Sequence, residues 1–185
     1  MLKEFLFDIC SNQFVSGFEH INGDILIKYF KPYTDSFEKD RLGSYIFKSS
    51  GSKDTKIMLA AHIDEIGLMI TGILDGGVLS FITVGGFNPA SLIAQDVTIF
   101  GKEKIFGVIG IKPPHLTSEE ERKKPLKTRE LYIDTGYTKE KLEKLITIGD
   151  IATINREPLS LQGSVISAKA FDDRACVAVM LETAK

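Results

Sequence analysis

"IMLAAHIDEIGLMI", residues Ile57 to Ile70, constrains the architecture more than any other part of the chain. Eleven of its side chains are apolar or Gly, and the near-continuous run up to Ile63 suits a strand covered on both faces, as in a parallel α/β sheet. His62, Asp64 and Glu65 interrupt it, and burying polar groups is unfavourable unless each finds a partner. Residues two apart on a strand point to the same side. His62 and Asp64 are therefore expected to stand together at the strand's end, where ligand sites of open α/β sheets lie. An imidazole is a good metal ligand when a carboxylate holds its second nitrogen, and Asp64 is placed to hold His62 in that way.

Upstream, Leu2, Phe5, Leu6 and Ile9 have helical spacing, so the first dozen residues form an amphipathic helix. Glu4 and Asp8 interrupt its apolar run, which separates it from a signal peptide. Ser16 and Glu19 are spaced as a capping box. The helix expected after them runs through Ile21, Ile25, Leu26 and Tyr29 and ends at Pro32. "DSFEKDRLGSYIFKSSGS" (35–52) reads as two strands around a tight turn at Gly43. Downstream, from Leu68 to Gly110, short β-rich pieces alternate with "DGG", "GGFNP", "FGKEK" and "FGVIG", the pattern of a small antiparallel sheet or barrel. "KPPHLTSEEERKKPLKTRE" (112–130) reads as an exposed, mobile loop. "ELYIDTGY" continues the strands, "TKEKLEKLI" is a short helix with Thr138 at its N-cap, and "DDRACVAVMLETAK" closes in a helix that starts after its aspartates.

Those aspartates, Asp172 and Asp173, repel one another. A cation relieves the repulsion, and so in part does the positive end of the helix that follows. Taken singly, neither motif settles the chemistry. A lone buried histidine is more often a satisfied core residue than a ligand, and Asp-Asp before a helix is more often an N-cap with a charged first turn.

Composition narrows the classes. The 185 residues carry a net charge of −2, against a broad nucleic-acid footprint. No run is long and apolar enough for a membrane span. Cys10 and Cys176 give no disulfide framework and read as reduced thiols in the cytoplasm. The histidines are only His20, His62 and His115.

In order and spacing, "VSGFEHI" (15–21), "KPYTDSFEKDRLGS" (31–44), "LAAHIDEIGLMIT" (59–71), "ITVGGFNP" (82–89), "GVIGIKPPH" (107–115), "LYIDTGY" (131–137), "IGD" (148–150) and "AKAFDDR" (168–174) cover nearly the whole chain. Together they resemble the tetrahedral (TET) metallo-aminopeptidases, a family with glutamyl and leucyl aminopeptidases and members labelled cellulase. The resemblance implies a discontinuous α/β catalytic domain with an inserted small β-barrel-like domain. The expected bounds are residues 1–67 and 163–185 for the catalytic domain and 68–162 for the insert, which serves assembly. It further implies two divalent metal ions, zinc or cobalt, acting on peptides with a free N-terminus, and a homo-oligomer, a dodecamer in the family. Carried over by position, His62 is a metal ligand, Asp172 bridges the two ions, Asp64 orients His62, and Asp173 shapes the turn through an unusual peptide bond.

The chain departs from the family pattern in one large respect. The family's Glu pair of general base and ligand, a further Asp ligand and a second His ligand have no counterpart in these residues. The sequence therefore reads as the first part of a longer one, expected to bind metal weakly and to be inactive alone. The alternative is an inactive truncated homologue acting as an assembly module. A glycosidase is disfavoured: glycoside hydrolysis needs two positioned carboxylates flanking the bond and gains from flat aromatic platforms, and the chain has no Trp. Cys176 stands where the family has Gly and is expected to behave as a small buried hydrophobe.

Overall fold

The apolar stripe of the first helix organises the first core. Leu2–Ser11 (α1) buries Phe5, Ile9 and Cys10 on one face, as the spacing predicts. The computed structural model describes residues 2–52, 54–113, 118 and 124–185. The chain folds as two compact units, Met1–Glu65 with Arg156–Lys185, and Ile66–Asn155.

After α1 the chain departs from expectation. Gly17 has φ +86°, a conformation that suits Gly and turns the backbone, so Ser16 does not sit at a helix start. Glu19 accepts instead from the Gly17 N–H at 2.8 Å. Glu19–Ile21 is a single 3₁₀ turn without a side-chain cap, and the helix proper is Asp24–Phe30 (α2). Pro32 lies in a 3₁₀ turn directly after it. Ser36–Lys39 (β1) and Tyr45–Lys48 (β2) pair antiparallel. Asp40 Oδ1 accepts from the Leu42 and Ser44 N–H groups at 2.9 and 2.8 Å, and Gly43 takes φ +98°, which closes the turn between them. The backbone N–H of Ser44 is the main cause holding the Asp40 carboxyl below its ordinary range.

The segment leading to His62 does not form the expected buried strand. Residues 55–64 carry no helix or strand, and Ile57 and Met58 are 83% and 88% exposed. A strand needs a neighbour to take its backbone hydrogen bonds. Here the only pairing is a parallel bridge of Glu65 with Val15, made by Glu65 N–H to Phe14 O and Ser16 N–H to Glu65 O. Burial begins at Glu65.

The second unit is a closed six-stranded antiparallel barrel. Its strands are Gly67–Ile73 (β3), Val78–Val84 (β4), Asp96–Phe100 (β5), Lys104–Ile111 (β6), Leu131–Asp134 (β7) and Ile151–Ile154 (β8). They close in the order β3-β4-β7-β6-β5-β8. Alternation drives it: in β6, Ile105 and Ile109 point inward while Phe106 and Val108 point out. Closure leaves no unpaired sheet edge. Leu92 of the short helix Pro89–Leu92 (α3) and Leu142 of Lys139–Leu145 (α4) join the same core. Each such apolar side chain contributes roughly 1.5–3 kcal/mol by burial. Thr138 is the N-cap of α4, although its side chain makes no capping bond. Residues 114–117 and 119–123 of the loop expected at 112–130, His115 among them, lie outside the described residues.

The chain re-enters the first unit at Arg156, upstream of the expected bound at 163. The reason is local: Leu159–Ser160 (β9) and Ile166–Ser167 (β10) form their own antiparallel hairpin, and Glu157 accepts from the Ser11 hydroxyl at 2.8 Å. Phe171–Thr183 (α5) then packs on α1, burying Val177, Ala178 and Leu181 against Phe5, Ile9 and Phe30. Among the described residues, no helix is long and apolar enough to cross a membrane.

Candidate metal site

The start of α5 is irregular. Ala170 is left-handed (φ 58°), Asp172 and Asp173 have non-helical backbone angles, and the peptide bond between them is cis. Asp172 faces outward, with its side chain 98% exposed, while Arg174, two residues on, points fully inward.

His62 meets both predicted partners. Its Nδ1 lies 2.8 Å from Asp64 Oδ1, and its Nε2 lies 3.4 Å from Asp172 Oδ1. Within these residues the imidazole is 56% exposed, and the segment that carries it is uncovered. Burial works against charging His62. The hydrogen bond and charge of Asp64, then Asp172 and Asp173, outweigh it and raise its pKa above the ordinary value.

With Asp64 accepting from Nδ1–H, the lone pair of Nε2 faces a carboxylate oxygen. Two lone-pair atoms in that position favour a proton or a cation between them. Two ligands of one tetrahedral zinc stand about 3.3–3.5 Å apart, given bond lengths near 2.0–2.2 Å, so the observed separation fits a shared ion. The donor set is short, however. Among the described residues no group of three or more His, Cys, Asp or Glu side chains is arranged to hold an ion. His20 lies in the Glu19–Ile21 turn, and His115 is outside the described residues.

Asp173 contributes differently from Asp172. Its interaction with the Cys176 thiol, first among the causes and ahead of desolvation and the charges of Asp173 and Asp172, raises the thiol's pKa. Cys176 is exposed, which corrects the expectation of a buried hydrophobe: it lies on the side of α5 away from the core. Cys10 is the buried thiol. A cleft of about 300 Å³ opens beside His62 and Asp64, walled by Phe30, Tyr45, Phe47 and Val177.

The sequence pattern assigns no role to the ionic groups beneath the site. Glu65 is buried, with Lys169 Nζ 2.9 Å from both of its carboxylate oxygens and Arg174 Nη2 3.3 Å from Oε1. Burial lowers the Lys169 pKa, with Glu65 opposing the shift. Arg174 donates through Nε to Ile63 O at 3.0 Å and through Nη1 to Ile9 O at 2.7 Å, with Phe14 5.0 Å from its guanidinium carbon. A signal is present in "AKAFDDR": a cation on each side of the acid pair has to go somewhere.

The profile of a family described as M42 glutamyl aminopeptidase matches residues 43–185. Among curated proteins, the lysyl aminopeptidase of Pyrococcus furiosus is 34% identical over 176 residues, 92% of this chain and 51% of that protein. Among solved structures, a TET aminopeptidase from Thaumarchaeota archaeon SCGC AB-539-E09 superposes with TM-score 0.93 at 33% identity, over 99% of this chain and 52% of that one. The Pyrococcus horikoshii TET1 peptidase, described as able to assemble into a tetrahedron or a large octahedral shell, gives TM-score 0.84 at 33% identity, over 98% and 55%. The chain thus spans about half the length of the curated relatives it matches.

Proposed function

Because this chain belongs to the M42 glutamyl aminopeptidase family, we propose that it supplies part of a two-ion aminopeptidase centre that releases N-terminal residues from peptides. The family implies divalent metal ions, and we assign them as zinc or cobalt. His62 holds one ion through Nε2, and Asp172 is shared between the two. Asp64 fixes the Nδ1–H tautomer of His62 and so keeps Nε2 free to ligate. Asp173 shapes the turn that presents Asp172. The bound ions supply Lewis-acid polarisation of the scissile carbonyl and activation of water. A catalytic zinc ordinarily takes about three protein ligands, so the two donors here hold an ion weakly and hydrolyse nothing alone. The general base and remaining ligands belong to parts of the family pattern that these residues do not supply.

The observation that carries this reading is the facing of His62 Nε2 and Asp172 Oδ1 at 3.4 Å with Nδ1 already engaged by Asp64. The barrel is assigned to self-association. Phe106 and Val108 are exposed on the outer side of β6, and the assembling TET1 relative supports the assignment.

Anomalous diffraction from crystals soaked in zinc tests the site. A peak between His62 Nε2 and Asp172 Oδ1 is expected, and a zinc bound only elsewhere contradicts the reading.

A further inference from the structure

We infer that Glu65, Lys169 and Arg174 form a buried positioning lock that sets the distance between His62 and Asp172. The inference rests on the reading of His62 and Asp172 as ligands but concerns what holds them in place. The two donors come from distant segments, and both segments are irregular. Residues 55–64 have no strand partner, and Asp172 lies in the non-helical start of α5. Among the described residues, no backbone ladder joins the two segments.

The ionic cluster bridges the two segments. Glu65 lies three residues after His62. Lys169 lies three residues before Asp172, and Arg174 two after it. Both cations converge on the one carboxylate, with Lys169 Nζ 2.9 Å from each oxygen and Arg174 Nη2 3.3 Å from Oε1. The Asp172 turn is thus held on both flanks by the residue that ends the His62 segment. Two more bonds tighten the arrangement: Arg174 Nε donates to Ile63 O, the carbonyl next to His62, and Glu65 Oε1 accepts from Phe14 N–H at 3.1 Å.

The geometry also explains why these charges are buried. A buried ion pair gains little net stability over a well-packed apolar pair, but it is directional and fixes register. Arg174 is fully inaccessible and Glu65 nearly so; Lys169 holds both carboxylate oxygens, while Arg174 Nη2 meets Glu65 through charge, without a hydrogen bond.

The test reads the His62 ring directly, by long-range ¹H–¹⁵N correlation from its non-exchanging ring protons, in this chain without metal. The local contact reports at Nδ1, through Asp64, and the long-range contact at Nε2, through Asp172. Lys169→Met is expected to move the Nε2 shift to the value found in Asp172→Asn, while Nδ1 keeps its wild-type shift. Lys169→Arg is expected to restore Nε2. A role in overall stability alone would move both nitrogens together or neither. If Lys169→Met does not fold, Arg174→Lys is used: it keeps the charge but loses the fork to Ile63 O, and the same selective change at Nε2 is expected. A wild-type Nε2 shift in whichever of these variants folds overturns the lock. The ligand reading fails separately, if Zn²⁺ leaves the wild-type His62 ring unperturbed.

Discussion

His62 Nε2 faces Asp172 Oδ1 across 3.4 Å, although one belongs to an unpaired extended segment and the other to the ragged start of the last helix. The pairing is held open to a cation by a third group, since Asp64 occupies the other ring nitrogen at 2.8 Å. Each link in that chain of contacts has a separable consequence.

Replacing Asp64 by Asn removes the anionic acceptor while keeping the side chain's shape. The His62 tautomer is then no longer fixed, and loss of such an orienting partner costs about 10- to 100-fold in metal affinity. Isothermal titration with Zn²⁺ measures it. Affinity equal to that of the unsubstituted chain removes Asp64 from the orienting role.

The pH dependence has opposite signs for folding and for metal uptake. The His62 pKa is raised: burial opposes charging, but the Asp64 hydrogen bond and charge, with Asp172, prevail. A raised folded-state value means that protonated His62 favours the fold. That contribution is complete below the unfolded-state pKa and is lost as pH rises through the folded-state value. Metal requires the bare Nε2, so protons compete with it. Zn²⁺ affinity is expected to fall by roughly tenfold per pH unit below the folded-state pKa of His62. Titrations at a series of pH values check this, and a flat affinity across them contradicts it.

The barrel offers a prediction independent of the metal. Gly76 and Gly77 in the β3–β4 turn have φ +89° and +79°. A Cβ at Gly76 meets nothing within 4 Å, whereas one at Gly77 falls 2.2 Å from Tyr137 O. Gly76→Ala therefore carries the conformational cost alone, about 1 kcal/mol. Gly77→Ala adds a backbone clash and is expected to cost on the order of 2–4 kcal/mol. Amide hydrogen exchange of β3 and β4 measures both, and equal protection in the two variants would show that the Tyr137 contact yields freely.

Much of this architecture is legible in residue patterns. The alternation of Ile105 and Ile109 with Phe106 and Val108 gives the barrel away, and Leu2, Phe5, Leu6 and Ile9 give the first helix. The spacing of His62 and Asp64 anticipates a contact that is present, as does the pairing of two distant motifs through the family resemblance. Burial does not follow from apolarity alone. Ile57 and Met58 have the composition of a buried strand, and among the described residues, which span about half the length of the curated relatives, no strand pairs with them. The capping box fails for a related reason, because Gly17 turns the backbone between Ser16 and Glu19. The convergence of Lys169 and Arg174 on Glu65 is a tertiary event, and the local sequence records only the presence of the charges.

Whether His62 and Asp172 together receive a divalent cation can be read from a Co²⁺ titration of this chain, followed by paramagnetic shifts of the histidine rings, with Asp172→Asn as comparison. The His62 ring is expected to shift ahead of His20 and His115, and Asp172→Asn is expected to weaken this response at least tenfold. A His62 response unchanged by Asp172→Asn, or Co²⁺ shifts confined to His20 or His115, would contradict the shared site.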